Sequence, residues 1–152
     1  PYYPEFFEGR KEFLCYMEYF ESILENISAY DGFDVYGHID YVVRYGPNKN
    51  REYSHGRYKD ILDEILKKLI SMGKGIELNT GGYHYGLGEP NPCTAVIGRY
   101  RELGGEIITI GADAHTPDKI ACAFDKAASV LEACGFRYYT IFKDRKPEFI
   151  SL

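Results

Sequence analysis

An aspartate and a histidine stand two residues apart in Gly111-Ala112-Asp113-Ala114-His115, where the apolar run Glu106-Ile107-Ile108-Thr109-Ile110 ends. A carboxylate oxygen and an imidazole nitrogen at that spacing can serve one divalent metal. The combination suits Zn, Mn or Fe and leaves positions open for water or substrate. The competing role for Asp113 is a helix cap, but Thr116-Pro117-Asp118 already offers a hydroxyl N-cap and a proline at the first helical position. His38, in Tyr36-Gly37-His38-Ile39-Asp40, holds the matching place after an earlier apolar run. Alone it reads as a hydrogen-bonded core histidine; with Asp113 and His115 it reads as a third donor. Arg44, six residues on, has the planar fork that grips an anion, against the alternative of an ordinary surface arginine. Glu77 lies within Gly75-Ile76-Glu77-Leu78-Asn79-Thr80, where a buried carboxylate needs a partner, so Glu77 and Asn79 read as supports for the ligands. Tyr83, His84 and Glu89 belong to a glycine-rich loop placed to cover the site. His55 reads as an exposed loop residue and 143–147 as a solvated turn.

Elements are needed to hold these residues. Apolar positions recur every three or four residues from Phe13 to Ile27 and from Ile61 to Ile70, predicting helices that end near Asp31-Gly32 and Gly73. Ala95 to Leu103 predicts a third, and a fourth runs from Thr116 to the stop at Gly135, with Cys122 on it as packing. Strands are predicted at 33–36, 75–78, 106–110 and 138–142. This alternation implies an α/β fold with a parallel sheet, either doubly wound or part of a barrel. His38, Asn79 and the Asp113/His115 pair fall past the C-terminal ends of successive strands, the face on which such folds build their sites. That favours a barrel, although four strands cannot close one that needs about eight. Open edges then invite another segment or a second copy.

The 152 residues carry 18 Lys and Arg against 23 Asp and Glu, a formal charge of −5 with no basic track, which argues against nucleic acid. Cys15, Cys93, Cys122 and Cys134 form no C-x-x-C pair and point to reduced thiols in a cytoplasm. No segment approaches the roughly 18 apolar residues of a membrane span. The serine elbow, Walker loop and strand-borne Gly-x-Gly-x-x-Gly motifs do not occur. The sequence opens on Pro1, and a piece of a longer protein is expected.

The blocks 33–40, Ile76-Glu77-Leu78-Asn79-Thr80-Gly81-Gly82, Gly111–His115 and Arg145-Lys146-Pro147-Glu148-Phe149 occur in order. On them the chain resembles, over essentially its whole length, the C-terminal part of histidinol-phosphatases of the PHP (polymerase and histidinol phosphatase) type. The resemblance implies a distorted seven-stranded (β/α)7 TIM-like barrel, with residues 1–152 as the C-terminal part of a single PHP domain. It also implies up to three divalent metals and hydrolysis of L-histidinol phosphate to histidinol and phosphate in histidine biosynthesis. On it His38, Asp113 and His115 are metal ligands, Asp113 or His115 aids proton transfer, and Arg44 contacts phosphate. His84 stands where relatives often carry a second phosphate-binding arginine, and Ala112 where they commonly carry serine. The family's N-terminal His-x-His block, and the Glu and His after it, are not in this sequence, so activity is expected of a longer parent. The alternatives are a PHP phosphoesterase on another small phosphate, or a catalytically incomplete piece that self-associates through open strand edges.

Overall fold

Helix α1 (Glu12–Ala29) buries Cys15, Tyr16, Phe20, Ile23 and Ile27 along one stripe, because those residues repeat at helical spacing. The computed structural model describes residues 3–152, so Pro1 lies outside the described residues. A two-residue strand, β1 (Val35–Tyr36), is followed by short 3-10 turns and then by α2 (Lys59–Ser71), which buries Leu62, Ile65, Leu66 and Leu69. Strand β2 (Gly75–Asn79), a single helical turn α3 (Gly81–His84), α4 (Thr94–Glu102) and β3 (Ile108–Gly111) come next. After them lie α5 (Phe124–Ala133), β4 (Tyr138–Lys143) and β5 (Lys146–Ser151).

Strands β1, β2 and β3 form a parallel sheet in that order, with Tyr36, Ile76 and Ile108 in register. Alternation along the strands sorts the side chains. Ile76, Leu78 and Ile108 share one face, are fully buried, and join a core with Phe20, Leu66 and Ile97 of the helices. Each such side chain contributes about 1.5–3 kcal/mol on burial. Val35, Glu77 and Thr109 occupy the opposite face and are only half-buried. The helices therefore cover one side of the sheet, and its polar residues lie on the other. Among the described residues no helix is long and apolar enough to cross a membrane.

Three expectations from the sequence are corrected here. Strand β4 is not a fourth parallel strand; it pairs antiparallel with β5, which the sequence reading did not anticipate. The expected turn is there, but Asp144 and Arg145 adopt φ of +50° and +61°, the two-residue hairpin geometry whose twist suits paired strands. Arg145 donates twice to Asp34, at 3.0 Å each. Strand β4 still lies against β3, where the buried Thr140 Oγ1 accepts from the Ile108 backbone N–H at 3.2 Å.

Thr116-Pro117-Asp118 starts only one 3-10 turn, and α5 begins at Phe124. Ala121 and Ala123 take left-handed φ values of +55° and +58°, while Thr80 Oγ1 donates to the Cys122 carbonyl at 2.6 Å. A tertiary bond thus claims a carbonyl that a continuous helix would satisfy internally, and Cys122 sits in a turn. His55 is not a free loop residue either. Its ring lies 3.1 Å from Asp63, whose carboxylate also receives Arg99 of α4 at 2.7 Å.

Candidate active site

Three parallel strands release the chain side by side, at Gly37, Thr80 and Ala112, and the polar residues at these exits meet. Arg44 is the hub. It closes a 3-10 turn, Tyr41–Arg44, and its side chain is 1% exposed, so it is no surface arginine. Its Nε donates to Asn91 Oδ1 at 2.7 Å, Nη1 to Asp113 Oδ2 at 2.5 Å and Nη2 to Asn79 Oδ1 at 3.1 Å. The guanidinium also lies over the rings of Tyr85 and Tyr41, 4.4 and 5.0 Å from their centroids.

Asp113 follows β3 with φ at +52°, in the left-handed region that a residue with a β-carbon enters at a cost of about 1–2 kcal/mol. Burial pushes its carboxyl up, but the hydrogen bond and charge of Arg44, with His38 and His115 adding, outweigh burial and hold it below the ordinary range. His115 Nε2 lies 3.4 Å from Asp113 Oδ1, and 77% of that histidine's side chain is exposed. His38 follows β1, also left-handed at φ +33°, with its ring 4.7 Å from that of Tyr41. Its Nδ1 is buried with no hydrogen-bond partner among the described residues. A buried imidazole nitrogen calls for a partner, so this one is available to a ligand.

Glu77 lies between the strand exits. Asn79 Nδ2 donates to its Oε2 at 3.0 Å, while Asn79 Oδ1 takes the Gly81 N–H at 2.8 Å. Gly111, directly across from Asn79, has no side chain, because a β-carbon there would collide with Glu77 Oε1. His84 and Tyr85 line a cleft of about 140 Å³ with Asp113, His115 and Lys119. Glu89 points elsewhere, accepting from the Thr94 N–H at 3.2 Å at the start of α4. Tyr83 lies under Lys126, with 4.6 Å from Nζ to the ring centroid.

Asp113 and His115 are brought together, and Arg44, Asn79 and Glu77 form one network with Asp113. Among the described residues, however, no three His, Cys, Asp or Glu side chains converge closely enough to hold an ion, so His38, Asp113 and His115 do not make a closed site. Sequence reasoning missed Asp40 and Asn91, both 1% exposed and hydrogen-bonded to each other at 2.6 Å. Only the nearness of Asp40 to His38 hinted at the first, and nothing local marks the second.

The sequence pattern of the PHP domain matches residues 1–81, over half of the chain. The chain belongs to the PHP domain family. This PHP chain is 30% identical over 129 residues to the histidinol-phosphatase of Lactococcus lactis subsp. lactis (strain IL1403), a match covering 85% of the chain and 48% of that protein. It is 33% identical over 122 residues to the probable histidinol-phosphatase of Clostridium acetobutylicum, covering 78% and 46% respectively. The crystal structure of histidinol phosphate phosphatase from L. lactis, complexed with zinc, L-histidinol and phosphate, superposes with a TM-score of 0.84 at 28% identity. That match covers 95% of this chain and 54% of the other. The PHP chain thus spans about half the length of the relatives it matches. The family resemblance and the parallel α/β sheet expected from sequence both hold.

Proposed function

We propose that this PHP chain carries part of the site of a metal-dependent phosphomonoesterase that hydrolyses L-histidinol phosphate to histidinol and phosphate in histidine biosynthesis. The observation that carries the reading is the meeting of His38, Arg44, Glu77, Asn79, Asp113 and His115 around three adjacent parallel strand ends, with His38 Nδ1 unpaired. The names of the relatives and the ligands of the L. lactis structure support the substrate. A sheet with helices on one face and half-buried polar residues on the other suits the wall of a (β/α)7 barrel.

The donor chemistry fits divalent metal: an imidazole nitrogen with no partner, a carboxylate held ionised, and a second imidazole beside it. His38, Asp113 and His115 would be ligands, in a set that other donors complete. A bound divalent ion supplies Lewis-acid activation of water and offsets phosphoryl charge. The chain's own residues do the rest. Arg44 keeps Asp113 anionic and aimed. Buried and bonded to Asn91, Asn79 and Asp113, it orders the site from beneath together with Glu77 and Asn79, while His84 of the cleft faces phosphate. His115 passes a proton to the leaving alkoxide when it is not itself a ligand. Free cysteines suit a reducing cytoplasm. Because the donor set is not closed, turnover is assigned to the protein that completes it rather than to these 152 residues alone.

Elemental analysis of the purified chain beside a His115→Ala variant, with phosphate release from L-histidinol phosphate and a panel of other phosphomonoesters, tests this. A divalent ion lost in the variant, and preference for histidinol phosphate in the completed protein, are expected. No bound ion in either form, together with better turnover of another phosphate, would overturn the reading.

A further inference from the structure

Two buried side chains outside the proposed ligand set determine how Arg44 is presented. Asp40 Oδ1 accepts from Asn91 Nδ2 at 2.6 Å, and its Oδ2 accepts from the Cys93 backbone N–H at 2.7 Å. Asn91 is tied to the end of β2 by two backbone hydrogen bonds with Asn79, at 2.8 and 2.9 Å. The Arg44 Nε–H can only donate, so Asn91 must turn its Oδ1 toward it, and its NH2 then faces the accepting oxygen of Asp40. Were the amide reversed, donor would face donor on the Arg44 side. The orientation of the guanidinium is thereby dictated two groups away from Asp113.

We propose that Asp40 and Asn91 are positioning residues: Asp40 sets the amide of Asn91, Asn91 sets the plane of Arg44, and Arg44 aims the Asp113 carboxylate. The proposal rests on the reading of Arg44 and Asp113 as site residues. Nothing in packing alone calls for this arrangement, because a buried chain of carboxylate, amide, guanidinium and carboxylate is seldom more stable than apolar residues of the same volume. What the chain provides is a fixed direction, in short charge-assisted bonds.

Arginine Nε–H resonances in the 152-residue chain, resolved by 1H–15N NMR and assigned by their loss in Arg44→Lys, give a readout independent of activity. The Arg44 Nε–H should exchange slowly with water in the native chain. It should exchange at least about tenfold faster in Asn91→Ala and in Asp40→Asn, since Asn91 Oδ1, the acceptor facing it, is removed or turned away. In the protein that turns over histidinol phosphate, Asn91→Ala should lower kcat about 10- to 100-fold with little change in KM, the scale of a small misplacement of a reacting group. The Asn91→Ala/Arg44→Lys double variant should be no slower than Arg44→Lys alone, because both act through one guanidinium. Should Asn91→Ala fail to fold, Asp40→Asn keeps the volume and carries the same comparison. Unchanged exchange in a folded variant, or additive losses in the double variant, would overturn the proposal. If the native protein hydrolyses no phosphomonoester, the reading of the site fails, while the exchange measurement still decides whether Asp40 and Asn91 set Arg44.

Discussion

His38 and Asp113 carry side chains at φ values that glycine adopts freely and most residues avoid, and both sit where strands end at the same site. Left-handed residues persist when surrounding contacts over-determine them, and they cluster at functional positions. His38 separates function from stability cleanly. Its Nδ1 has no bond to lose, and asparagine tolerates the same backbone. His38→Asn should therefore shift Tm by no more than about 2–4 °C, the equivalent of ~1 kcal/mol in a domain this size, while metal content measured by elemental analysis falls. Gly111→Ala tests the neighbouring carboxylate. The added methyl collides with the far end of Glu77, which can swing aside, so the chain should remain folded by circular dichroism. Phosphate release by the completed protein should nevertheless drop by at least about tenfold, as for other displaced supports of a metal site.

At the scale of elements, two joints hold the framework, and neither is a regular strand ladder or helix seam. The first is Thr140, whose hydroxyl gives the Ile108 amide its partner between β4 and β3. Thr140→Val keeps the shape and strands that buried N–H. Urea denaturation should show a loss of about 1–3 kcal/mol, where an isosteric surface change would give almost none. The second joint pins α2 to α4 through Asp63. Hydrogen bonds from Arg99 hold its carboxyl at about 2, overcoming burial, with His55 adding. Because the folded value lies below the ordinary 3.8, this contribution to stability is present above about pH 4 and is lost as pH falls toward 2. Asp63→Asn should melt below the native chain at pH 7, and the two melting curves should converge between pH 4 and pH 2. A constant gap across that range would assign the stabilisation to something other than the carboxylate charge.

The whole molecule is one-sided. Helices seal one face of a three-stranded sheet, while Val35, Glu77 and Thr109 remain half-buried on the other. Strand β1 pairs only with β2 among the described residues, and Tyr138, Ile141 and Phe149 of the hairpin are exposed. An unpaired strand edge and exposed apolar side chains each favour association. Sedimentation equilibrium on the isolated chain should show an average mass that rises with concentration, and Ile141→Lys should reduce the rise. A strictly monomeric native chain at high concentration would refute self-association.

The helices α1, α2 and α4, the three parallel strands and the placement of His38, Asn79, Asp113 and His115 at strand ends were legible in the sequence. Those features have local causes: apolar spacing, glycine stops and short β-rich runs each act over a few residues. What the sequence alone did not determine was which polar groups meet. Arg44 reads equally well as a surface residue until Asn79 and Asp113, 35 and 69 positions away, are seen to bury it. The late start of α5 depends on Thr80 reaching Cys122 across 42 positions, and the link of Asp40 to Asn91 spans 51. Side-chain hydrogen bonds at such separations follow no period and leave no compositional trace, so only the tertiary structure, by bringing the strand ends together, decided them.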